Sequence, residues 1–232
     1  MAELEQWAVE RPWLALRCAL GEGPFYERET NSVRFVDIKK RQLHGVSLAE
    51  GPASLQTMQL DACPTVASDI EGDEMLRRFG EPADERLRSN DGAADPHGSF
   101  WPGSMTDSGL GEFQREGSLH RSTETDSAEM VTGLRVPSSI LAWDYDACAG
   151  APSNERLFYQ HRAHGGEGRV LKASPRGQVV GQFVGTDLVV TSAADEAGDA
   201  DAGSRAHGGA VFKVHVGTTG LEPFKFRMQA AR

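Results

Sequence analysis

Short apolar runs, broken at close intervals by turn residues, set the strongest limit on what this chain can fold into. Ser32-Val33-Arg34-Phe35-Val36-Asp37-Ile38 and Gln42-Leu43-His44-Gly45-Val46-Ser47-Leu48 flank Lys39-Lys40-Arg41. Each run alternates partly with a period of two, which predicts a β-hairpin with a polar connection. Comparable runs recur at Ile140-Leu141-Ala142-Trp143, Arg156-Leu157-Phe158-Tyr159, Asp187-Leu188-Val189-Val190-Thr191 and Gly209-Ala210-Val211-Phe212-Lys213-Val214. Ser174-Pro175-Arg176-Gly177-Gln178 predicts a tight turn, with Pro presetting φ and Gly free to take a positive φ. Helical periodicity is scarce. Residues 73–79 read as a turn or two of helix or as a surface loop. Residues 193–208, low in bulk and rich in Asp, Ala and Gly, read as an exposed, flexible loop. The pattern predicts an all-β domain, whether sandwich, barrel or propeller.

At 232 residues with 39% hydrophobic residues, the chain can bury a sizeable core as one domain. A net charge of −10 argues against a nucleic-acid or anionic-membrane surface. No run approaches the roughly 18 apolar residues of a membrane-spanning helix. The opening Met1-Ala2-Glu3-Leu4-Glu5-Gln6-Trp7 is acidic and lacks the apolar stretch of a secretory signal. Cys18, Cys63 and Cys148 are widely spaced and odd in number, which fits reduced thiols better than a disulfide framework or a zinc site. The expectation is a soluble, cytoplasmic protein whose oligomeric state is not legible.

Four segments narrow the field. The first is Leu20-Gly21-Glu22-Gly23-Pro24-Phe25-Tyr26 followed by Val36-Asp37-Ile38 and Leu43-His44. The second is Arg88-Ser89-Asn90-Asp91-Gly92, then Asp95-Pro96-His97-Gly98-Ser99-Phe100-Trp101 and Gly103-Ser104-Met105. Gly117-Ser118-Leu119-His120-Arg121 with Gly133-Leu134-Arg135-Val136-Pro137, and Gly208 to Val214 with Phe224-Lys225-Phe226-Arg227, complete the series. In this order they resemble the gluconolactonase/regucalcin (senescence marker protein) family, most closely its fungal members. The RxNDG…DPxGxFWxGxM run carries most of the resemblance.

That resemblance implies a six-bladed β-propeller over residues 1–232, with a divalent metal, calcium or zinc, in a central channel. It also implies a sugar lactone or related cyclic ester as substrate. A hard cation with oxygen ligands polarises the lactone carbonyl and activates water, and a nearby carboxylate takes the proton. Glu22 falls at the family's metal-binding Glu. Arg88 and Asn90 fall at its substrate-binding positions, where their donors orient hydroxyls or an oxyanion. Ser138 falls where the family has a metal-binding Asn, and a hydroxyl is the weaker donor. The PDG motif that carries the third ligand is absent, so the resemblance assigns no catalytic base.

Length agrees with missing strands. At roughly 40–50 residues per blade, six blades need about 240–300 residues. A smaller closed ring, incomplete blades or a shortened sequence would each account for the 232 residues present. The alternative function is a catalytically impaired, non-enzymatic propeller without a complete metal site.

Other candidates read as structural. Asp107 follows the GxM motif and suits a solvated loop. His161 and His164 lack a third ligand. Asp195, Glu196, Asp199 and Asp201 lack the spacing of a calcium loop. Trp101 and Trp143 suit packing positions.

Overall fold

A computed structural model describes residues 9, 11–61, 64, 86–107, 114, 116–122, 128–133, 139–146, 148–160, 171–173, 179–182, 187–194 and 206–215. Apart from turns and a short 3-10 helix at Gly51–Ser54, its elements are strands. The first four are β1 (Gly21–Glu27), β2 (Ser32–Asp37), β3 (Gln42–Ser47) and β4 (Gln56–Gln59), which form one antiparallel sheet in the order β1-β2-β3-β4. A second four-stranded sheet repeats that order with β5 (Leu87–Ala94), β6 (Phe100–Thr106), β7 (Ser118–Ser122) and β8 (Ala128–Gly133). Three hairpins follow: β9 (Ser139–Asp146) with β10 (Ala151–Gln160), β11 (Leu171–Ala173) with β12 (Val179–Gln182), and β13 (Asp187–Thr191) with β14 (Val211–His215).

The hairpin read from residues 32–48 is present, with Phe35 opposite His44 and Val36 opposite Leu43. Its alternation has a packing cause. Phe35 and Val36 are fully buried, and Val33 and Val46 nearly so, while the turn residues Lys39 and Lys40 stay in water. Removing a ring such as that of Phe35 costs about 3–5 kcal/mol.

The two ends of the described chain meet. Trp13 and Leu14 N–H both donate to the Val211 carbonyl (2.9 and 3.0 Å), and Val211 N–H returns a bond to Leu14 (3.0 Å). Cys18 N–H donates to Gly209 O (2.8 Å), and Gly21 N–H donates to Ser192 O (3.2 Å). Leu14, Cys18 and Val211 share one buried cluster with Val33, Phe35 and Val46. The core therefore lies where the first sheet meets the last hairpin. This pairing covers strand edges that an open array would leave free to aggregate.

Of the predicted loop 193–208, residues 195–205 lie outside the described residues, as does segment 73–79. The described start of the loop joins the seam: Ala193 bridges Leu20 and Ala194 N–H donates to the Cys18 carbonyl (3.0 Å), while Gly209, just past the loop, accepts from Cys18 N–H. No helix among the described residues is long and apolar enough to cross a membrane.

Candidate functional site

Both clusters of candidate residues sit at interruptions in the first strand of a four-stranded sheet. In β1 the pairing runs from Glu22 opposite Val36 directly to Phe25 opposite Arg34. Gly23 and Pro24 thus share one partner position. Gly23 takes φ +58°, which a residue with a side chain rarely adopts, and Pro24 has no N–H to pair. In β5 the register jumps from Ser89 opposite Ser104 to Gly92 opposite Pro102, so Asn90 and Asp91 share the place of one residue. Such bulges re-aim side chains and recur beside active sites.

Glu22, Arg88 and Asn90 are all half-buried, and Asp91 is exposed. The structure brings Glu22 of the first sheet within electrostatic reach of Arg88 and Asp91 of the second. Burial raises the Glu22 carboxyl above its ordinary value, the Arg88 guanidinium opposes the shift, and the negative Asp91 adds to it. Arg88 Nη1 donates to the Ser89 carbonyl (3.0 Å), and Asp91 Oδ1 accepts the Gly92 N–H (2.9 Å). Ser138 lies outside the described residues, as do His161, His164 and the acidic run 195–201.

Glu22 offers carboxylate oxygens, the kind of donor that suits a hard divalent cation. Among the described residues, however, no three His, Cys, Asp or Glu side chains form a metal-binding cluster. The site fits such an ion in donor type through the Glu22 carboxylate, with Asp91 left as a nearby negative charge.

Two buried aspartates brace this region. Asp37, fully buried, accepts the N–H groups of Ala19 (2.8 Å), Leu20 and Lys40 (both 3.2 Å), just before β1 begins. Asp95, beyond the far end of β5, accepts the N–H groups of His97 (2.8 Å) and Ser99 (2.9 Å), the Trp101 indole (2.9 Å) and the Tyr145 hydroxyl (2.7 Å). Burial raises the Asp95 carboxyl, but these donors outweigh it and hold it below the ordinary range. Trp101 is therefore a hydrogen-bonding residue as well as a packing one. Its ring also lies 5.6 Å from the Arg121 guanidinium.

Sequence reasoning left out Asp91, Asp37 and Tyr145. Asp91 had a signal, since it adjoins Asn90 within the RxNDG motif. Asp37 had one too: a lone carboxylate inside the apolar run Phe35 to Ile38. Tyr145, 50 residues from Asp95, had none.

No family model matches the chain. A curated relative, YvrE of Bacillus subtilis (strain 168), whose name assigns it a sugar lactone lactonase activity, is 26% identical over 65% of this chain. The chain spans 58% of the length of that relative. Three solved structures share the fold. Regucalcin from Agrobacterium tumefaciens, described as a calcium-binding protein, superposes with a TM-score of 0.79 at 18% identity, covering 94% of this chain and 97% of its own. A luciferin-regenerating enzyme gives 0.76 at 19% identity, covering 91% and 96%. A gluconolactonase from Xanthomonas campestris gives 0.61 at 12% identity, covering 88% of each. The chain thus shares the propeller fold of these structures and is similar in sequence to a sugar lactone lactonase relative, in line with the resemblance of its motifs to the gluconolactonase/regucalcin family.

Proposed function

We propose that this chain hydrolyses a sugar lactone or a related cyclic ester at the site formed by Glu22, Arg88, Asn90 and Asp91. The observation that carries this reading is the approach of Glu22 on β1 to Arg88 and Asp91 on β5, each cluster at a bulge in the first strand of its sheet. The lactonase name of the curated relative supports the same class of substrate.

In this reading Arg88 donates to the lactone carbonyl oxygen and stabilises the negative charge that grows there as water attacks. The Asn90 amide fixes the orientation of a ring hydroxyl. Asp91 takes the proton from the attacking water. The ring C–O bond then breaks, the proton passes to the departing alkoxide, and an open-chain hydroxy acid leaves. Glu22 would hold a divalent cation, calcium or zinc, with Ser138 as the weaker donor that the family resemblance implies. Such a cation supplies Lewis acidity toward the carbonyl and lowers the pKa of bound water. The cysteine usage and the net charge of −10 further favour a soluble cytoplasmic enzyme without a nucleic-acid partner.

The test is hydrolysis of an aldono-lactone followed by proton release. Turnover should stop on chelation and in Glu22→Gln. In Asp91→Asn it should fall by about 100-fold or more, while any metal-dependent rise in Tm remains. Folded protein with no turnover, or with turnover indifferent to Glu22, overturns the reading. The absent PDG motif and Ser138 in place of Asn favour a second reading, a propeller that binds without chemistry. For that protein, calcium and zinc at millimolar concentration leave Tm unmoved.

A further inference from the structure

We infer that Asp37 is a positioning residue for Glu22: from inside the first sheet it fixes the chain that enters β1 and so decides where the Glu22 carboxylate stands. The inference rests on Glu22 being a site residue. Asp37 is fully buried, and a buried carboxylate is stable only where donors replace its lost water. The donors come from both sides. Lys40 N–H belongs to the turn after β2, and the Lys40 ammonium stands 3.8 Å from Oδ2. Ala19 and Leu20 N–H belong to the segment ahead of β1, with Ala19 on Oδ2 and Leu20 on Oδ1. Ile38 N–H closes the same corner on the Leu20 carbonyl (3.0 Å), and Asp37 is itself the register partner of Gly21.

Glu22 is two residues past Leu20, and the ladder does not resume until Phe25 faces Arg34. Between those points Gly23 is in the left-handed region and Pro24 has no N–H to donate, so the bulge has little hold of its own. The orientation of Glu22 therefore depends on what anchors the chain just before it. Two of those anchors are bonds to Asp37, another is the Ile38 N–H on the Leu20 carbonyl beside it, and a further one, from Gly21 N–H to Ser192 O, comes from the seam with the last hairpin. Each Asp37 oxygen has a different job, so an isosteric amide cannot serve both. An Asn side chain keeps one acceptor for Leu20 and Lys40 and turns a donor toward the Ala19 N–H.

The test is a double-mutant cycle between Glu22→Gln and Arg88→Gln, read as stability in the presence of chelator. In the wild type, the double variant should be more stable than the sum of the two single changes predicts, because the pair attracts and each single change already removes that attraction. In an Asp37→Asn background that coupling should vanish. Amide exchange at Ala19 should also rise by roughly tenfold, as expected for one lost hydrogen bond. Val46→Ala, a core change that lowers Tm without touching this corner, should leave the coupling intact. Asp37→Glu should restore part of it. If Asp37→Asn does not fold, Asp37→Ser keeps one acceptor and carries the same cycle. Coupling that persists in the Asp37 variants overturns the inference. Absence of coupling in the wild type instead overturns the pairing of Glu22 with Arg88, and the inference falls with it.

Discussion

The Tyr145 hydroxyl donates a 2.7 Å hydrogen bond to Asp95 Oδ2 and joins the β9–β10 hairpin to the turn that ends β5. A second contact reinforces the join. Arg121 on β7 donates to Ser99 in that turn (3.2 Å from Nη2), and the same Nη2 would lie only 2.7 Å from a Cβ at Gly150. The strand that carries Arg88, Asn90 and Asp91 is thus braced from the neighbouring hairpin, at the end away from the candidate site.

Tyr145→Phe keeps the ring and removes the bond, so it should cost about 1 kcal/mol and lower Tm by roughly 2–4 °C. The difference should depend on pH. Burial and the hydrogen bond to Asp95 push the Tyr145 phenol up to about 12. A folded pKa above the unfolded one, about 10, gives stability that is complete below pH 10 and lost as pH rises toward 12. Thermal melts of both proteins from pH 8 to 11 should converge at the alkaline end, and a constant gap would show that the bond is not there.

His44 should make the protein sensitive to acid. Its ring stacks on Phe35 (4.9 Å between centroids), its Nδ1 meets Thr57 Oγ1 at 2.9 Å, and its buried Nε2 has no hydrogen-bond partner. Burial lowers its pKa, Asp37 pulls it back up, and Lys40 lowers it again. A depressed folded pKa means stability that is whole above about pH 6.5 and lost as pH falls below it. His44→Phe keeps the stack and cannot titrate. Its Tm should fall less than that of the wild type between pH 7 and 5, and parallel losses in the two proteins would exclude His44 as the cause.

The hairpin of residues 32–48 was legible because one face packs into a core, and burial of one face imposes the period of two. The family motifs placed Glu22, Arg88 and Asn90 on strands, yet no motif could place Glu22 near Asp91. That approach depends on how two sheets sit side by side, which is a property of the whole ring. The same limit hid the Tyr145–Asp95 bond and the pairing of Leu14 with Val211. Residues so far apart in the chain carry no mark of each other in local pattern. Trp101 reads from sequence as packing because an indole signals burial more loudly than its single N–H signals a partner.

The seam between the chain ends should tolerate almost no added volume at Gly209. Its φ of +75° disfavours a side chain, and a Cβ there would clash with the Cys18 carbonyl oxygen. Gly209→Ala should cost on the order of 3 kcal/mol or more. At Gly45 in β3 a Cβ meets nothing within 4 Å. Gly45→Ala should therefore be close to neutral or stabilise by about 0.4–1 kcal/mol, since it restricts the unfolded chain. Urea unfolding of the two variants checks both signs, and similar losses would mean that the seam does not hold the fold together.

Glu22 should weaken the fold of the metal-free protein at neutral pH. Burial raises its carboxyl, Arg88 lowers it and Asp91 raises it, with the net shift upward. A folded pKa above the unfolded one means that the contribution is most favourable in acid, below about pH 4.5, and is lost as pH rises through the folded value. Holding an ionised Glu22 beside Asp91 at pH 7 is thus a strain that suits a site waiting for a cation or a polar ligand. With chelator present, Glu22→Gln should melt above the wild type at pH 7, and the two curves should meet near pH 4. Asp91→Asn should raise the Tm at pH 7 in the same direction, because it removes the like charge. Arg88→Gln should lower it, because it removes the opposing one. If Glu22→Gln melts below the wild type at pH 7, Glu22 is a structural ion-pair partner of Arg88 and the site has no cost to recover on binding.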